Sequence, residues 1–270
     1  MKKFWQFRAA ADKKGEGELL LYGYISDRSW RGDEVTPKQF HEDLKALGDI
    51  KTLNLFINSV GGDIFAAQAI YSMLKRHSAK KIVYVDGLAA SAASLVAMVG
   101  DKVIMPRNSM MLIHSPMAIV IDYLNAHDAR KLADDLDKIR ESMIPVYCDK
   151  CKKDEDEMKS IMDGDDGEGT WLTAEEAHEQ GLCDEMDDAK EVAASLVGGQ
   201  ATINGQVVDI SRFKNFPKDK IAAIVSATQA RADEMAAEQE RKQQAEREAQ
   251  ARQSEATARN RRLEVIRRRH

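Results

Sequence analysis

Gly87-Leu88-Ala89-Ala90-Ser91-Ala92-Ala93-Ser94 lies between two apolar runs, Ile82-Val83-Tyr84-Val85 before it and Leu95-Val96-Ala97-Met98-Val99 after it. The first run reads as a buried strand and the second as a buried helix. Small residues at such a junction let the chain reverse sharply and let another backbone or a ligand approach. The turn also aims the free N–H groups of the helix start at whatever sits beside Ser91. Two readings of Ser91 are open at this point. It is either a cap of the following helix, as serines at helix starts commonly are, or a nucleophile presented on a tight strand-to-helix turn.

Working outward, strands and helices alternate. Glu18–Ile25 reads as a strand, and Thr36-Pro37 starts a helix whose apolar face is Phe40, Leu44 and Leu47. Leu53–Ile57 is a strand that runs into Asn58-Ser59-Val60-Gly61-Gly62-Asp63, and a helix covers Ala66–Arg76. Lys102–Met105 and Met110–Ile113 are short strands. This alternation implies an α/β fold with right-handed crossovers and a mostly parallel sheet. Sites in such sheets form at the carboxyl ends of strands, where Gly61-Gly62 and Ser91 both fall. His114 closes the strand Met110–Ile113 and is either a satisfied core histidine or a base. Residues 121–160 read as one long polar helical stretch with Leu124, Leu132, Leu136, Ile139 and Met143 on one side. Thr173 and Glu176 make a capping box, and Gly181 ends the helix it opens.

The organisation along the chain is a flexible segment 1–17, a globular domain 18–197, a hairpin and linker 198–216, and a charged tail 217–270. The hairpin reading rests on Asn204-Gly205 between Thr202-Ile203 and Gln206-Val207-Val208. The tail is rich in Ala, Glu, Gln and Arg and lacks a regular apolar seam, so it reads as a long helix or a partly disordered, partner-dependent one. Helical throughout, it would span roughly 80 Å. Its end is basic: Arg259, Arg261, Arg262, Arg267, Arg268 and Arg269.

The chain has 270 residues and a net charge of −5, which speaks against a dedicated nucleic-acid binder. No apolar run approaches the roughly 20 residues of a membrane span, and no signal-peptide core follows the basic start, so a cytoplasmic protein is expected. Three cysteines make no disulfide framework. Cys148-Asp149-Lys150-Cys151 has redox or half-zinc spacing, but nothing completes a metal site, and neither metal nor cofactor is expected.

Four motifs in order, Asn58-Ser59-Val60-Gly61-Gly62, Gly87-Leu88-Ala89-Ala90-Ser91, Ile113-His114-Ser115-Pro116 and Trp171-Leu172-Thr173-Ala174-Glu175-Glu176-Ala177 with Gly181-Leu182, resemble the signature of the Clp-type serine peptidases over residues 18–188. Lys2-Lys3-Phe4-Trp5, Gly32–Pro37 and the segment around Phe213-Lys214-Asn215 look most like the Clp-related head maturation proteases of tailed bacteriophages, with the tail resembling a fused scaffolding segment. The resemblance implies a Clp/crotonase-type ββα superhelix. It implies a serine endopeptidase, ATP-independent on its own, with Ser91 as nucleophile and His114 as base. Gly62 and Ala92 would supply the N–H groups of an oxyanion hole. An extended substrate would lie against Gly61, Gly62 and Asp63 on one side and Pro116 and Met117 on the other, adding as a strand. Ser94 reads as structural. The family carries an acid two residues before the aromatic at Trp171, where this chain has Gly169; Glu168 is the expected replacement, Asp166 the alternative, and a water or backbone carbonyl the third choice. The resemblance further implies a ring-forming homo-oligomer, with region 121–160 between rings. Its substrates would be the major capsid protein and scaffold, with portal as a possible further partner, in the host cytoplasm and inside the procapsid. A catalytically weak assembly scaffold and a crotonase-type acyl-CoA enzyme are the competing readings, since one fold hosts all three.

Overall fold

The computed structural model describes residues 4–9, 15–26, 37–188, 194–197, 200–203, 206–209 and 215–222, together with residues 226 and 241. The chain divides into two units, Met1–Val225 and Ser226–His270. The Gly32–Thr36 stretch, Asn204-Gly205, Phe213 and nearly all of the expected tail lie outside the described residues.

The first unit is built on an eight-stranded mixed sheet. Its path runs β1 (Trp5–Ala9), β2 (Glu16–Ile25), β3 (Thr52–Gly62), β4 (Lys80–Ala90), β5 (Lys102–Pro106) and β8 (Glu185–Asp187). From β2 onward every pair on this path is parallel, while β1 joins β2 antiparallel. The strand β4 is shared out along its length. Ile82–Tyr84 pair with β5, and Leu88–Ala90 pair with β6 (Met110–Ile113), which in turn pairs antiparallel with β7 (Thr170–Thr173). The sheet therefore forks at β4, and the fork places Ser91 at the end of one branch beside the end of β6. Three further strands, β9 (Ala194–Val197), β10 (Gln200–Ile203) and β11 (Gln206–Asp209), make a separate antiparallel sheet, with β10 and β11 paired as the hairpin reading requires.

The helices cover the sheet where their apolar positions dictate. α1 (Pro37–Ala46) buries Phe40 and Leu44. In α2 (Ile64–Arg76) the buried residues are Ala66, Ala67, Ile70, Met73 and Leu74, and Asp63 caps its start by accepting from the Ala66 N–H at 2.7 Å. Every residue of α3 (Ala92–Ala97) is buried. The capping box opening α6 (Ala174–Glu179) forms as expected, with the Glu176 N–H on Thr173 Oγ1 and the Thr173 N–H on the Glu176 carboxylate.

Two expectations change. The segment 1–17 is not uniformly loose: β1 pairs with β2 from Trp5↔Leu21 to Ala9↔Gly17, and Phe4 and Trp5 are buried. Trp5 and Phe7 meet Phe40 edge-on, at ring separations of 5.3 and 5.1 Å. The basic and polar residues between the aromatics hid an alternating strand. The stretch 121–160 is also not one helix. Residues 114–125 carry no regular element, α4 (Ala126–Cys151) ends on Lys152 in the left-handed region, and Asp154 starts α5 (Glu155–Asp163) with its own capping box to Glu157.

The expected domain boundary at 217 also shifts, because residues 215–222 belong to the first unit. Phe216 packs edge-on against Trp171 over Leu88, Ala90, Met110 and Leu112. Asn215 accepts from Trp171 Nε1 and donates to the Gly169 carbonyl, and Lys220 donates to both Glu176 carboxylate oxygens at 2.7 Å. Burial works to raise the Glu176 carboxyl, but the Lys220 ammonium and the Thr173 N–H outweigh it and hold it below its ordinary value of 4.5. A carboxyl depressed in the folded state contributes stability above its unfolded pKa and loses it as pH falls through the folded one. Hydrogen exchange at residues 215–222 should therefore accelerate below about pH 4.5 and, in Lys220→Met, already at neutral pH. Equal protection of this segment in wild type and Lys220→Met at pH 7 would show that the ion pair does not hold it.

Candidate functional site

Ser91 adopts φ 55°, ψ −130°, a conformation a non-glycine residue holds only where its surroundings impose it. The imposition is visible on both sides. Its N–H continues the β4–β6 ladder to the Leu112 carbonyl at 2.9 Å, and the next residue already begins the buried α3. The Ser91 side chain makes no capping bond. It faces His114, whose Nε2 lies 2.6 Å from Oγ. His114 is 8% exposed and stands directly after β6, so the fork of the sheet brings the two together.

The second ring nitrogen, Nδ1, lies 2.6 Å from the backbone carbonyl of Ser115. A carbonyl only accepts, so Nδ1 carries the proton and Nε2 is left as the acceptor for the Ser91 hydroxyl. That is the tautomer in which an imidazole can take a proton from serine. Of the partners weighed for Nδ1, a backbone carbonyl, that of Ser115, lies on it. Asp165 and Asp166 are exposed along an open cleft of about 740 Å³, and the Asp166 carboxylate accepts from the Glu168 N–H.

Glycines press on this pair from two directions. Gly61 has φ 81°, and a Cβ there would come within 2.5 Å of the Ala90 carbonyl, 2.7 Å of the Ala92 nitrogen and 2.8 Å of Ser91 Cβ. The end of β3 thus runs against the Ser91 turn, held by the Gly61 N–H on Ser59 Oγ and by Ser59 on the Gly23 carbonyl. Gly62, at φ 150°, lies as closely against the Ile25 carbonyl. On the other side Gly169 has φ 85°, and a Cβ there would sit 2.2 Å from His114 Cβ and 2.5 Å from the Ile113 carbonyl. Position 169 is closed to every side chain, acidic or not.

The remaining expected residues divide. Ala92 opens α3, so its N–H has no partner within the helix and lies at the Ser91 turn, beside Gly61. Pro116 and Met117 follow Ser115 in chain without regular structure, and Met117 is 55% exposed. Asp63 is corrected: its carboxylate caps α2, its N–H donates to Ile25 and its carbonyl receives Ala67, so its polar groups serve the fold rather than a substrate. Ser94 is structural, with Oγ bonded to the Ser91 carbonyl and to the buried Tyr147 hydroxyl, whose pKa burial raises. Among the described residues no group of three His, Cys, Asp or Glu is placed to hold a metal. Sequence reasoning missed Ser115 as the partner of Nδ1; a main-chain acceptor leaves no mark in residue identities.

The Clp protease family model matches residues 34–190. The ATP-dependent Clp protease proteolytic subunit of Bacteroides thetaiotaomicron is 28% identical over 160 residues, covering 57% of this chain and 70% of its own length. Proteolytic subunit 1 of Protochlamydia amoebophila is 30% identical over 168 residues, covering 60% and 78%. In shape, a ClpP1 mutant from Listeria monocytogenes superposes with a TM-score of 0.52 at 19% identity, over 64% of this chain and 92% of that one. No described helix is long and apolar enough to cross a membrane. With the ordered motifs, the forked α/β sheet and a family match spanning more than half its length, the chain belongs to the Clp protease family.

Proposed function

We propose that this protein is a serine endopeptidase in which Ser91 attacks the peptide carbonyl and His114 moves the proton. The observation that carries the reading is the 2.6 Å contact between Ser91 Oγ and an Nε2 that the Ser115 carbonyl leaves unprotonated. His114 takes the Ser91 proton as the Oγ–C bond forms, and the carbonyl oxygen becomes an oxyanion. The N–H groups of Gly62 and Ala92 receive that charge; each such donor is typically worth about 3–4 kcal/mol in the transition state. Nε2–H then protonates the leaving amine. Water, deprotonated by the same nitrogen, releases the acyl group. The substrate lies extended between Gly61-Gly62 and Pro116-Met117.

We assign its substrates to proteins of a phage head under assembly, the capsid protein and scaffold, on the resemblance carried by Lys2–Trp5, Gly32–Pro37, Phe213–Asn215 and the charged tail. The tail serves to bring the protease into the assembling particle. The working form is a homo-oligomer. Its support in the chain is an exposed apolar run after the site: Ile119 is 92% exposed, Ile121 93% and Tyr123 fully exposed, which is surface a soluble monomer rarely leaves open.

Ser91→Ala should leave the far-ultraviolet dichroism unchanged, abolish labelling by a fluorophosphonate, and stop processing of a co-expressed capsid protein. Labelling or processing by the Ser91→Ala protein would refute the assignment; a wild type that is labelled at Ser91 but does not process the capsid protein would retain the peptidase and remove the phage substrates. Restoring the family's acid by Gly169→Asp should not raise activity. It should lower labelling by a factor of about 100 or more, since the new Cβ displaces His114. Sedimentation of the full chain should show an oligomer, and Ile121→Asp with Tyr123→Asp should shift it toward monomer; a wild type that stays monomeric at every concentration contradicts the assembly.

A further inference from the structure

Gly169 leaves the site without the acid at its expected place, yet one acidic residue touches both segments that frame His114. Asp163, the last residue of α5, accepts from Ser115 Oγ at 2.9 Å through its carboxylate, and its own carbonyl accepts from the Gly169 N–H at 3.1 Å. Ser115 is thereby held at three points: its N–H on the Met162 carbonyl at 3.0 Å, its hydroxyl on Asp163, and its carbonyl on His114 Nδ1. Arg140 from α4 clamps the same carboxylate, with Nη1 at 3.1 and 3.4 Å from its two oxygens, and also pairs with Asp137. A carboxylate on the last turn of a helix faces the negative end of the macrodipole, which disfavours it. Its contacts, not its place in the helix, account for it.

We propose that Asp163 is a positioning residue of this site, acting on His114 through Ser115; this rests on the peptidase reading above. The Asp163 carboxylate is paired with the Arg140 guanidinium and reaches His114 only through Ser115, so what it supplies is orientation. It fixes the Ser115 hydroxyl, hence the Ser115 peptide, hence the carbonyl that holds Nδ1–H and keeps Nε2 aimed at Ser91. The hydroxyl of Ser115 is therefore an intermediate of the relay, and removing either end of the Ser115–Asp163 bond breaks the same link. No electron or proton passes through it.

The test is the limiting rate of fluorophosphonate labelling at Ser91 in the full chain, which needs no knowledge of the natural substrate. Asp163→Ala and Ser115→Ala should each label about tenfold more slowly with little change in half-saturating probe, about 1.4 kcal/mol on the transition state. The double variant should be no slower than the worse single one, because one link is lost in all three. Asp163→Asn keeps the acceptor and should label within about threefold of wild type, a rescue that bulk alone at position 163 would not give if the carbonyl oxygen were idle. Wild-type rates in both Asp163→Ala and Ser115→Ala would overturn the inference while leaving the Ser91–His114 reading intact. So would additive losses in the double variant, or an Asp163→Asn as slow as Asp163→Ala. A wild-type chain not labelled at Ser91 would overturn the peptidase reading itself and this inference with it.

Discussion

The backbone conformation of Ser91 is the constraint on which the rest of the site depends. A left-handed φ at a residue with a side chain costs on the order of 1–3 kcal/mol, and it persists because the chain has no freedom on either flank. Upstream, Leu88–Ala90 are committed to β6. Downstream, α3 is buried at all six positions, so it cannot rotate to relax the turn. The strained turn holds the hydroxyl off the helix start, where it would otherwise cap, and delivers it to His114. Strain at this point is thus maintained by the core, and the core around it is apolar from Val83 to Val99 apart from a few small or partly buried residues.

Close backbone packing does the remaining positioning. Gly61 and Gly169 each stand where even one carbon atom would collide with the Ser91 turn or with His114. These contacts bring the ends of β3, β4 and β6 and the start of β7 within one region although they are separated by up to about a hundred residues of sequence. They also explain a chemical substitution. Position 169 passes so near the imidazole that it cannot itself carry a carboxylate, and Nδ1 lies on the Ser115 carbonyl. That carbonyl fixes the tautomer, leaving Nε2 to face Ser91.

The strand β7 links the site to the C-terminal side of the first unit. Trp171 on β7 is bonded to Asn215 and packed on Phe216, Asn215 also holds the Gly169 carbonyl, and Lys220 reaches Glu176. The segment 215–222 therefore braces the backbone that lies against His114. The position from which the charged tail departs is coupled, through these few bonds, to the strand behind the imidazole.

Local signals in the residues were enough for much of this. The Ser91 turn, the strand ending in His114, the glycine pair, the Thr173–Glu176 box and the Asn204-Gly205 hairpin are all written in short stretches whose spacing matches the period of one element. Together they implied the parallel α/β fold, and the resemblance they carry implied that Ser91 and His114 meet. Other features were decided only by the tertiary structure. The aromatics at 5 and 7 lie in a strand because Phe40 and β2 are there to receive them, which their polar neighbours disguised. The break at Lys152 had a readable signal in Asp154 and Glu157, masked by continuous helical polarity. The partner of Nδ1 had none. It depends on how closely Gly169 passes His114 and on where the Ser115 carbonyl falls, and sequence records identities and spacings, whereas that choice is made by distances between backbones.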